Sequence, residues 1–366
     1  MGIVTEYYYP HLGGVTEHVH HFAREMRRRG HEADIITSNI GDCPPAPGVI
    51  RIGRSVSVYA NGSQARVTIG DGLRQAMRQV LRAGAYDVVH VHSPFSPTLS
   101  LLAIDEAECP VIATVHTNFP DSLAYRLFRR RLQRIADRID ALIAVSPTAA
   151  HAHARYIDAD WSIVPNGIDL EAFHPGAERP AGLRDDIPSI LFVGRFDPRN
   201  ALGTLIDAFR RITGSGRDAR LVVVGDGPLR RYYRRRAKAD PRIIFTGALR
   251  DERPGYYAGA TVYACPTTRA SFGITLLEAM ACSTPIVCSD IAGFRDVVED
   301  GREALLVPAD APDTLADSLV RVLDDEVLRA RLGHAGSLTA ARYAWPSVTD
   351  RILSVYANSL GVEVAA

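Results

Sequence analysis

Short runs with an apolar core recur along the chain at intervals that leave room for a helix between most pairs. In the first half they are Met1–Glu6, Glu32–Thr37 (EADIIT), Asp87–His92 (DVVHVH), Val111–Thr114 (VIAT) and Ala141–Val145 (ALIAV). Runs this continuous belong to strands buried on both faces, not to half-exposed strands, which alternate. Between the first two lies an amphipathic helix, predicted from Thr16 to about Arg29 and closed by Gly30. Strands that alternate with helices require βαβ crossovers and a parallel sheet.

The alternation stalls across Trp161–Pro188, where Ser162-Ile-Val-Pro-Asn-Gly passes into a stretch holding Pro175, Pro180 and Pro188. This is the candidate linker. A second series follows: Ser189–Val193 (SILFV), Arg220–Val224 (RLVVV), Ile243–Thr246 (IIFT), Ala260–Ala264 (ATVYA) and Pro285–Cys288 (PIVC). The expected fold is α/β with two Rossmann-like domains, 1–168 and 169–344, facing each other across a cleft. Ligands are expected at the C-terminal ends of the strands. In Tyr343–Leu360, Val348, Ile352, Leu353, Val355 and Tyr356 fall at helical spacing.

Composition narrows the function. The 42 basic residues are balanced by 42 acidic ones, without the basic excess of a nucleic-acid binder. No apolar run approaches the roughly 18 residues of a membrane-spanning helix. The start of the chain lacks the basic leader of a signal peptide, and five cysteines (43, 109, 265, 282, 288) show neither CxxC nor zinc spacing. Reduced thiols and a cytoplasmic protein are expected. Lys238 is the only lysine, so a cation in an active site here is an arginine.

Several turns could carry chemistry. Gly13-Gly14 separates the first strand from its helix, a place where backbone N–H groups can meet a phosphate, although such a pair is also an ordinary tight turn. It is not the GxGxxG of a dehydrogenase. Gly194-Arg195-Phe196-Asp197-Pro198-Arg199 follows a strand directly, and Arg195 could fork onto a phosphate or simply be solvated. Gly225-Asp226-Gly227-Pro228 is the matching turn after the next strand. Within 267–284 (TTRASFGITLLEAMACST), Ser271-Phe272-Gly273 opens a helix whose N–H groups from Phe272 to Thr275, including Ile274, could hold a diphosphate. Glu278, in that helix, is either a ribose acceptor or a buried acid paired with arginine. His116 stands just past a strand and is expected to point into the cleft, as a catalytic group or a structural hydrogen bonder.

Two basic stretches interrupt the neutral total. Arg51–Arg82 carries six arginines against the single acid Asp71, with Arg74, Arg78 and Arg82 every four residues beside Leu73, Met77, Val80 and Leu81. This is an amphipathic basic helix, either a membrane-surface element or a solvated face. Arg126, Arg129, Arg130, Arg131, Arg134 and Arg138 form the second run. A third, Leu229–Lys238 (LRRYYRRRAK), belongs to the other domain.

Taken together, Gly13-Gly14-Val15, His90-Val91-His92, His116-Thr117, Val164-Pro165-Asn166-Gly167, Gly194-Arg195-Phe196, and Ser271-Phe272-Gly273 through Glu278-Ala279-Met280-Ala281 resemble the retaining GT-B glycosyltransferases of family four over essentially the full length. Within the family the resemblance is to phosphatidylinositol mannosyltransferases. It implies a C-terminal crossover helix (345–366) returning to the N-terminal, acceptor-binding domain, with the second domain binding the nucleotide sugar.

The implied activity is transfer of a hexose, mannose from GDP-mannose, to a phosphoinositide-like lipid at an anionic membrane surface on the inner face of the cell membrane. No cofactor and no divalent metal are implied. The implied catalytic residues are His116 and Arg195. Donor binding falls to Gly13, Gly14, Arg195, Asn200, Ser271, Phe272, Gly273, Ile274 and Glu278. Acceptor binding falls to Tyr7, Thr16, Asn61, Ser63, Arg66 and Thr117, and membrane docking to Arg74, Arg78 and Arg82.

Two positions depart from the family pattern: Asn200 stands where a lysine is usual, and Ala270 replaces the first of two glutamates, of which Glu278 is the second. These departures keep open a nucleotide-sugar-binding GT-B protein with weak or lost transfer. A sugar-nucleotide epimerase would want more acids in the cleft.

Overall fold

The computed structural model describes residues 1–41, 43–60, 63–183, 186–238 and 240–361, without the side chains of 59, 60 and 63–65. The chain forms two compact units, Met1–Gly167 with Trp345–Ala366, and Ile168–Ala344.

The first unit holds β1 (Gly2–Val4), β2 (Asp34–Asn39), β3 (Val49–Ala60), β4 (Ser63–Ile69), β5 (Val89–His92), β6 (Val111–Val115), β7 (Ala141–Ala144) and β8 (Trp161–Ile163). They form one sheet in the order β4-β3-β2-β1-β5-β6-β7-β8. All pairs are parallel except β3 with β4, an antiparallel hairpin with Ser57 opposite Arg66. That hairpin was not anticipated from the sequence. Its polar alternation (RIGRSVSVYA) reads as a charged stretch, because an antiparallel edge can leave one face to water. The strand β8 likewise lies inside the stretch expected to be linker, where its half-exposed edge position removes the apolar signature.

Side-chain alternation assigns each strand residue to one of two faces. Val4, Val89, Val91, Ala113 and Leu142 enter one buried cluster, while Ile3, Ile35, Ile112 and Ile143 enter another on the opposite face. The second face is covered by the helices Gly14–Arg28 and Trp345–Leu360, through Val19, Phe22, Met26, Val348, Ile352 and Tyr356. The apolar spacing of the last helix is thereby accounted for: its stripe completes the core of the first unit, although it follows the second in sequence.

The second unit holds β9 (Ser189–Val193), β10 (Arg220–Val224), β11 (Ile243–Gly247), β12 (Val262–Cys265), β13 (Ile286–Ser289) and β14 (Ala304–Val307), all parallel, in the order β11-β10-β9-β12-β13-β14. Strand order reverses between β9 and β12, so the crevice of this unit opens where those two strands end. The turns after them begin at Gly194 and Pro266. The strand β14 was not expected, since its four residues sit between a charged turn and Pro308.

Candidate active site

In the second unit the turn after β9 is locked to the turn after β10. Phe196 N–H donates to the Asp226 carbonyl at 2.9 Å, and Gly194 N–H to the Val224 carbonyl at 3.0 Å. Glycine is required at 225, where φ is +140° and a Cβ would stand 2.0 Å from the Gly194 oxygen. The buried Asp197 caps the short turn Pro198–Asn200 by accepting from Asn200 N–H at 3.3 Å, and it also pairs with Arg199 at 3.4 Å. Asn200 donates its amide to the Arg195 carbonyl at 2.8 Å and accepts from the Thr267 hydroxyl at 3.4 Å. Thr268 N–H donates to the Arg199 carbonyl at 2.8 Å. The loops after β9 and β12 are thus tied together, and Arg195, Asn200 and the start of 267–284 form one constellation. Asn200 acts in it as a brace between loops.

The loop Ala270–Gly273 rests on the helix Ala292–Arg295: a Cβ on Gly293 would stand 2.3 Å from the Ala270 carbonyl oxygen. Gly273, at φ +124°, precedes the helix Ile274–Ala281 without any side-chain cap, so the first N–H groups of that helix are not satisfied by a capping side chain. Phe272 is buried against Tyr343, with ring centroids 6.0 Å apart. Glu278 is buried; one carboxylate oxygen pairs with Arg253 at 2.9 Å and the other accepts from Tyr257 OH at 2.7 Å. Of the two readings open for Glu278, the buried acid paired with arginine is the arrangement this structure holds. Arg253 in turn lies 5.5 Å over the Phe173 ring.

In the first unit, alternation along β5 and β6 puts His90, His92, Thr114 and His116 on the face covered by the first and last helices. His116, expected to point into the cleft as a catalytic group or a structural hydrogen bonder, is 8% exposed and shares a 2.9 Å hydrogen bond with His92. The pleat of β5 and β6 sends His90, His92 and Thr114 to the same face. His90 bonds Tyr356 OH at 2.6 Å and the Thr114 hydroxyl at 2.7 Å. His18, from the covering helix, bonds the Asn166 side-chain oxygen through Nδ1 at 2.9 Å and packs edge-on to His92 and His116, with centroids 5.2 and 5.0 Å away.

Burial disfavours the imidazolium forms, lowering His18 to about 4 and His90 to about 3 and holding His92 and His116 well below the usual histidine range. These rings are neutral at pH 7. The nitrogens Nε2 of His18 and His92 are buried without a partner. One nitrogen from each of His18, His92 and His116 falls within 4.8 Å of the others, so this trio is the group among the described residues that could hold a metal ion. No linear zinc spacing announces it, because its members come from three elements.

The same unit holds the other residues singled out from the sequence, Gly13 and Gly14 for the donor and the rest for the acceptor. Gly13 and Gly14 begin the first helix, again without a side-chain cap. The Thr16 hydroxyl is fully buried and has no partner among the described residues. Tyr7 and Arg66 are brought together, Arg66 N–H donating to the Tyr7 hydroxyl at 3.3 Å, and the Arg66 guanidinium reaches Ser55 at 3.2 Å. Asn61 lies outside the described residues, as does the side chain of Ser63. Thr117 and His116 line a small cavity with Ser93, Phe95, Tyr125 and His153. Glu6, not singled out from the sequence, is fully buried after β1, where one oxygen accepts from both Thr98 and Leu99 N–H at 2.6 Å. Desolvation raises its pKa. An acid in an apolar strand was the available signal.

The helix Leu73–Gly84 forms, with Met77 and Leu81 inward. Its arginines are not an unbalanced cationic face. Arg74 pairs with Asp105 and Glu106, Arg78 with Glu106 at 2.6 Å, and Arg82 with Glu108 at 2.8 Å. The neutralising acids lie some thirty residues away in sequence, on and just after the helix Leu99–Glu106.

Two doubly wound units of mainly parallel sheet match the GT-B fold of solved structures. Sucrose-phosphate synthase from Thermosynechococcus elongatus aligns with a TM-score of 0.78 at 22% identity over 98% of both chains. Anabaena HepE, in a complex with UDP-glucose, aligns with a TM-score of 0.78 at 17% identity, covering 98% of this chain and 100% of its own. Residues 12–172 match Glycosyltransferase Family 4, and residues 187–325 match Glycosyl transferases group 1. The phosphatidyl-myo-inositol mannosyltransferase of Mycobacterium tuberculosis is 34% identical over 99% of this chain and 97% of its own length. A D-inositol 3-phosphate glycosyltransferase of Kribbella flavida is 30% identical over 94% and 90%. The chain belongs to the family-four GT-B glycosyltransferases.

Proposed function

We propose that this glycosyltransferase moves a hexose from a nucleotide diphosphate sugar, GDP-mannose, to the inositol of a phosphatidylinositol-like lipid at the inner face of the membrane, with retention and without a divalent metal. The observation that carries this reading is similarity over nearly the whole chain to proteins named phosphatidyl-myo-inositol mannosyltransferase. In this reading Arg195 and the N–H groups of Phe272, Gly273 and Ile274 at the uncapped helix start neutralise the leaving diphosphate, with Ser271 beside them and Gly13 and Gly14 contributing from the first unit. Asn200 positions Arg195 through its carbonyl. Glu278, held by Arg253 and Tyr257, fixes the helix Ile274–Ala281 behind the diphosphate.

On the acceptor side, Arg66 binds the lipid phosphate together with Asn61 and Ser63, while Tyr7, Thr16 and Thr117 orient the inositol. The acceptor hydroxyl forms its bond to the anomeric carbon on the face from which the diphosphate leaves. The bond from that carbon to the β-phosphate oxygen breaks, and the diphosphate takes the hydroxyl proton. His116, neutral at pH 7, serves as a hydrogen-bonding group at the reacting sugar and not as an acid. Positioning and charge stabilisation then supply the rate.

A second reading is favoured by Ala270 and Asn200: a protein that holds the donor but transfers slowly or not at all. Incubation with GDP-mannose labelled in the sugar separates the two. Label extracted into the lipid fraction only when phosphatidylinositol is present supports transfer. Tight donor binding with no labelled lipid supports the second reading.

A further inference from the structure

Three of the most exposed large apolar side chains of the described residues fall within six positions: Leu123 (66%), Leu127 (72%) and Phe128 (57%). They belong to the short helix Leu123–Leu127 and the joint to the next helix, Arg129–Ala136. Leu123 and Leu127, one turn apart, share the outer side of the first helix. Tyr125, on the opposite side, packs on Phe119 and Tyr156 at centroid distances of 4.6 and 5.4 Å and holds the helix to the core. The second helix is anchored by Leu132 and Ala136. Its remaining positions present Arg129, Arg130, Arg131 and Arg134, all exposed, and no acid lies within ion-pairing distance of these four among the described residues. Arg126, by contrast, is matched by Asp121 at 2.5 Å.

We propose that Leu123, Leu127 and Phe128, with Arg129, Arg130, Arg131 and Arg134, form the surface by which this protein docks on anionic phospholipid bilayers, in place of the Arg74/Arg78/Arg82 face. Water-exposed leucine and phenylalanine beside uncompensated guanidinium groups is the composition of an interfacial anchor: the apolar side chains enter the headgroup boundary and the charges meet lipid phosphates. The face at 74–82 lacks both parts, since its apolar residues turn inward and its arginines are neutralised by Asp105, Glu106 and Glu108. A second copy of the chain is a poorer occupant, because a two-fold contact would bring four arginines against four arginines. The same short helix also adjoins the candidate site, its inner residue Tyr125 lining the cavity shared with His116 and Thr117. Docking here would therefore present a lipid headgroup to the acceptor side. That consequence rests on the lipid-acceptor reading, whereas docking itself does not.

The test is co-sedimentation of the full chain with phosphatidylcholine vesicles, with and without phosphatidylglycerol, at low and high salt, no donor being present. Binding is expected only with phosphatidylglycerol and should weaken as salt is added. The variant Arg129→Gln/Arg130→Gln/Arg131→Gln should lose about a hundredfold in vesicle affinity, and Leu127→Ser/Phe128→Ser about tenfold or more. The variant Arg74→Gln/Arg78→Gln/Arg82→Gln should bind within about twofold of the parent. Circular dichroism and GDP binding verify that each variant is folded. With a soluble, short-chain phosphatidylinositol as acceptor, any transfer should be equal in parent and docking variants, so failure of the acceptor reading leaves the vesicle result standing. The proposal is overturned if the 74/78/82 variant is the one that loses binding, if neutral vesicles bind equally well, or if the patch supports self-association and no vesicle binding.

Discussion

At the residue scale, the two departures from the family pattern set the sharpest expectations. A methyl group at Ala270 cannot accept hydrogen bonds from sugar hydroxyls, while the nucleotide side of the proposed site keeps Arg195 and the Ser271–Ile274 backbone. GDP should therefore bind about as tightly as GDP-mannose. Restoring the acid with Ala270→Glu should add about 1–3 kcal/mol of sugar-dependent binding, the scale of a charged hydrogen bond, read by calorimetry with both ligands. Asn200→Lys is less simple, because Asn200 braces the Arg195 carbonyl and Thr267; lysine adds charge there only by releasing that brace. Donor binding well above GDP binding in the parent protein would mean another group already holds the sugar. On the acceptor side, Arg66→Ala should weaken a phosphoinositide acceptor by about ten- to a hundredfold and leave GDP binding unchanged. Equal loss on both sides would remove Arg66 from the acceptor role.

At the scale of elements, the loop that opens the helix Ile274–Ala281 depends on a close backbone approach. Gly293→Val should push Ala270 and Ser271 away from the helix Ala292–Arg295, since the new Cβ would meet the Ala270 carbonyl at 2.3 Å. We expect a loss of about 1–3 kcal/mol in stability together with weakened GDP binding, measured by denaturant unfolding and calorimetry. How far such elements can be read from sequence follows from their burial. The strands β1, β2, β5–β7, β9, β10, β12, β13 and the C-terminal helix are flanked by core on both sides or along a full stripe, and their apolar runs show it; the edge strand β11 was legible from its short run Ile243-Ile244-Phe245 alone. The hairpin β3–β4 and the edge strand β8 lie where one face or one side is open, so their residues carry no continuous apolar signal, while β14 is apolar but only four residues long. The candidate constellation of Arg195, Asn200 and the start of 267–284 was legible because glycine or arginine stands there at a strand end. Legibility ended where function of a residue depends on a distant partner. Glu278 with Arg253, Arg74 with Glu106, and His18 with His92 and His116 are pairings that only the folded chain creates.

At the scale of the molecule, the buried histidines couple the stability of the first unit to pH. His18, His90, His92, His116 and His153 all have depressed folded-state pKa values, His153 at about 4, while the unfolded chain titrates near 6.5. Above pH 6.5 both states are neutral and the stability is fully present. As pH falls from about 6.5 toward 4, the unfolded chain takes up protons that the folded unit refuses, so stability is lost. The slope approaches about 1.4 kcal/mol per pH unit for each such histidine. Glu6, with a raised pKa, works in the opposite direction and offsets part of the loss. Urea unfolding at a series of pH values should show the decline beginning below pH 6.5, and a flat profile down to pH 4.5 would mean that water or protons reach the cluster.

In the proposed reaction a sugar passes from nucleotide diphosphate to lipid on the face the diphosphate leaves. This reaction is tested most directly by proton NMR of the lipid recovered after incubation with GDP-mannose and phosphatidylinositol. The account predicts an α-mannosyl inositol lipid, the anomeric configuration of the donor retained. A β-linked product, or unchanged lipid recovered beside intact donor, would contradict it.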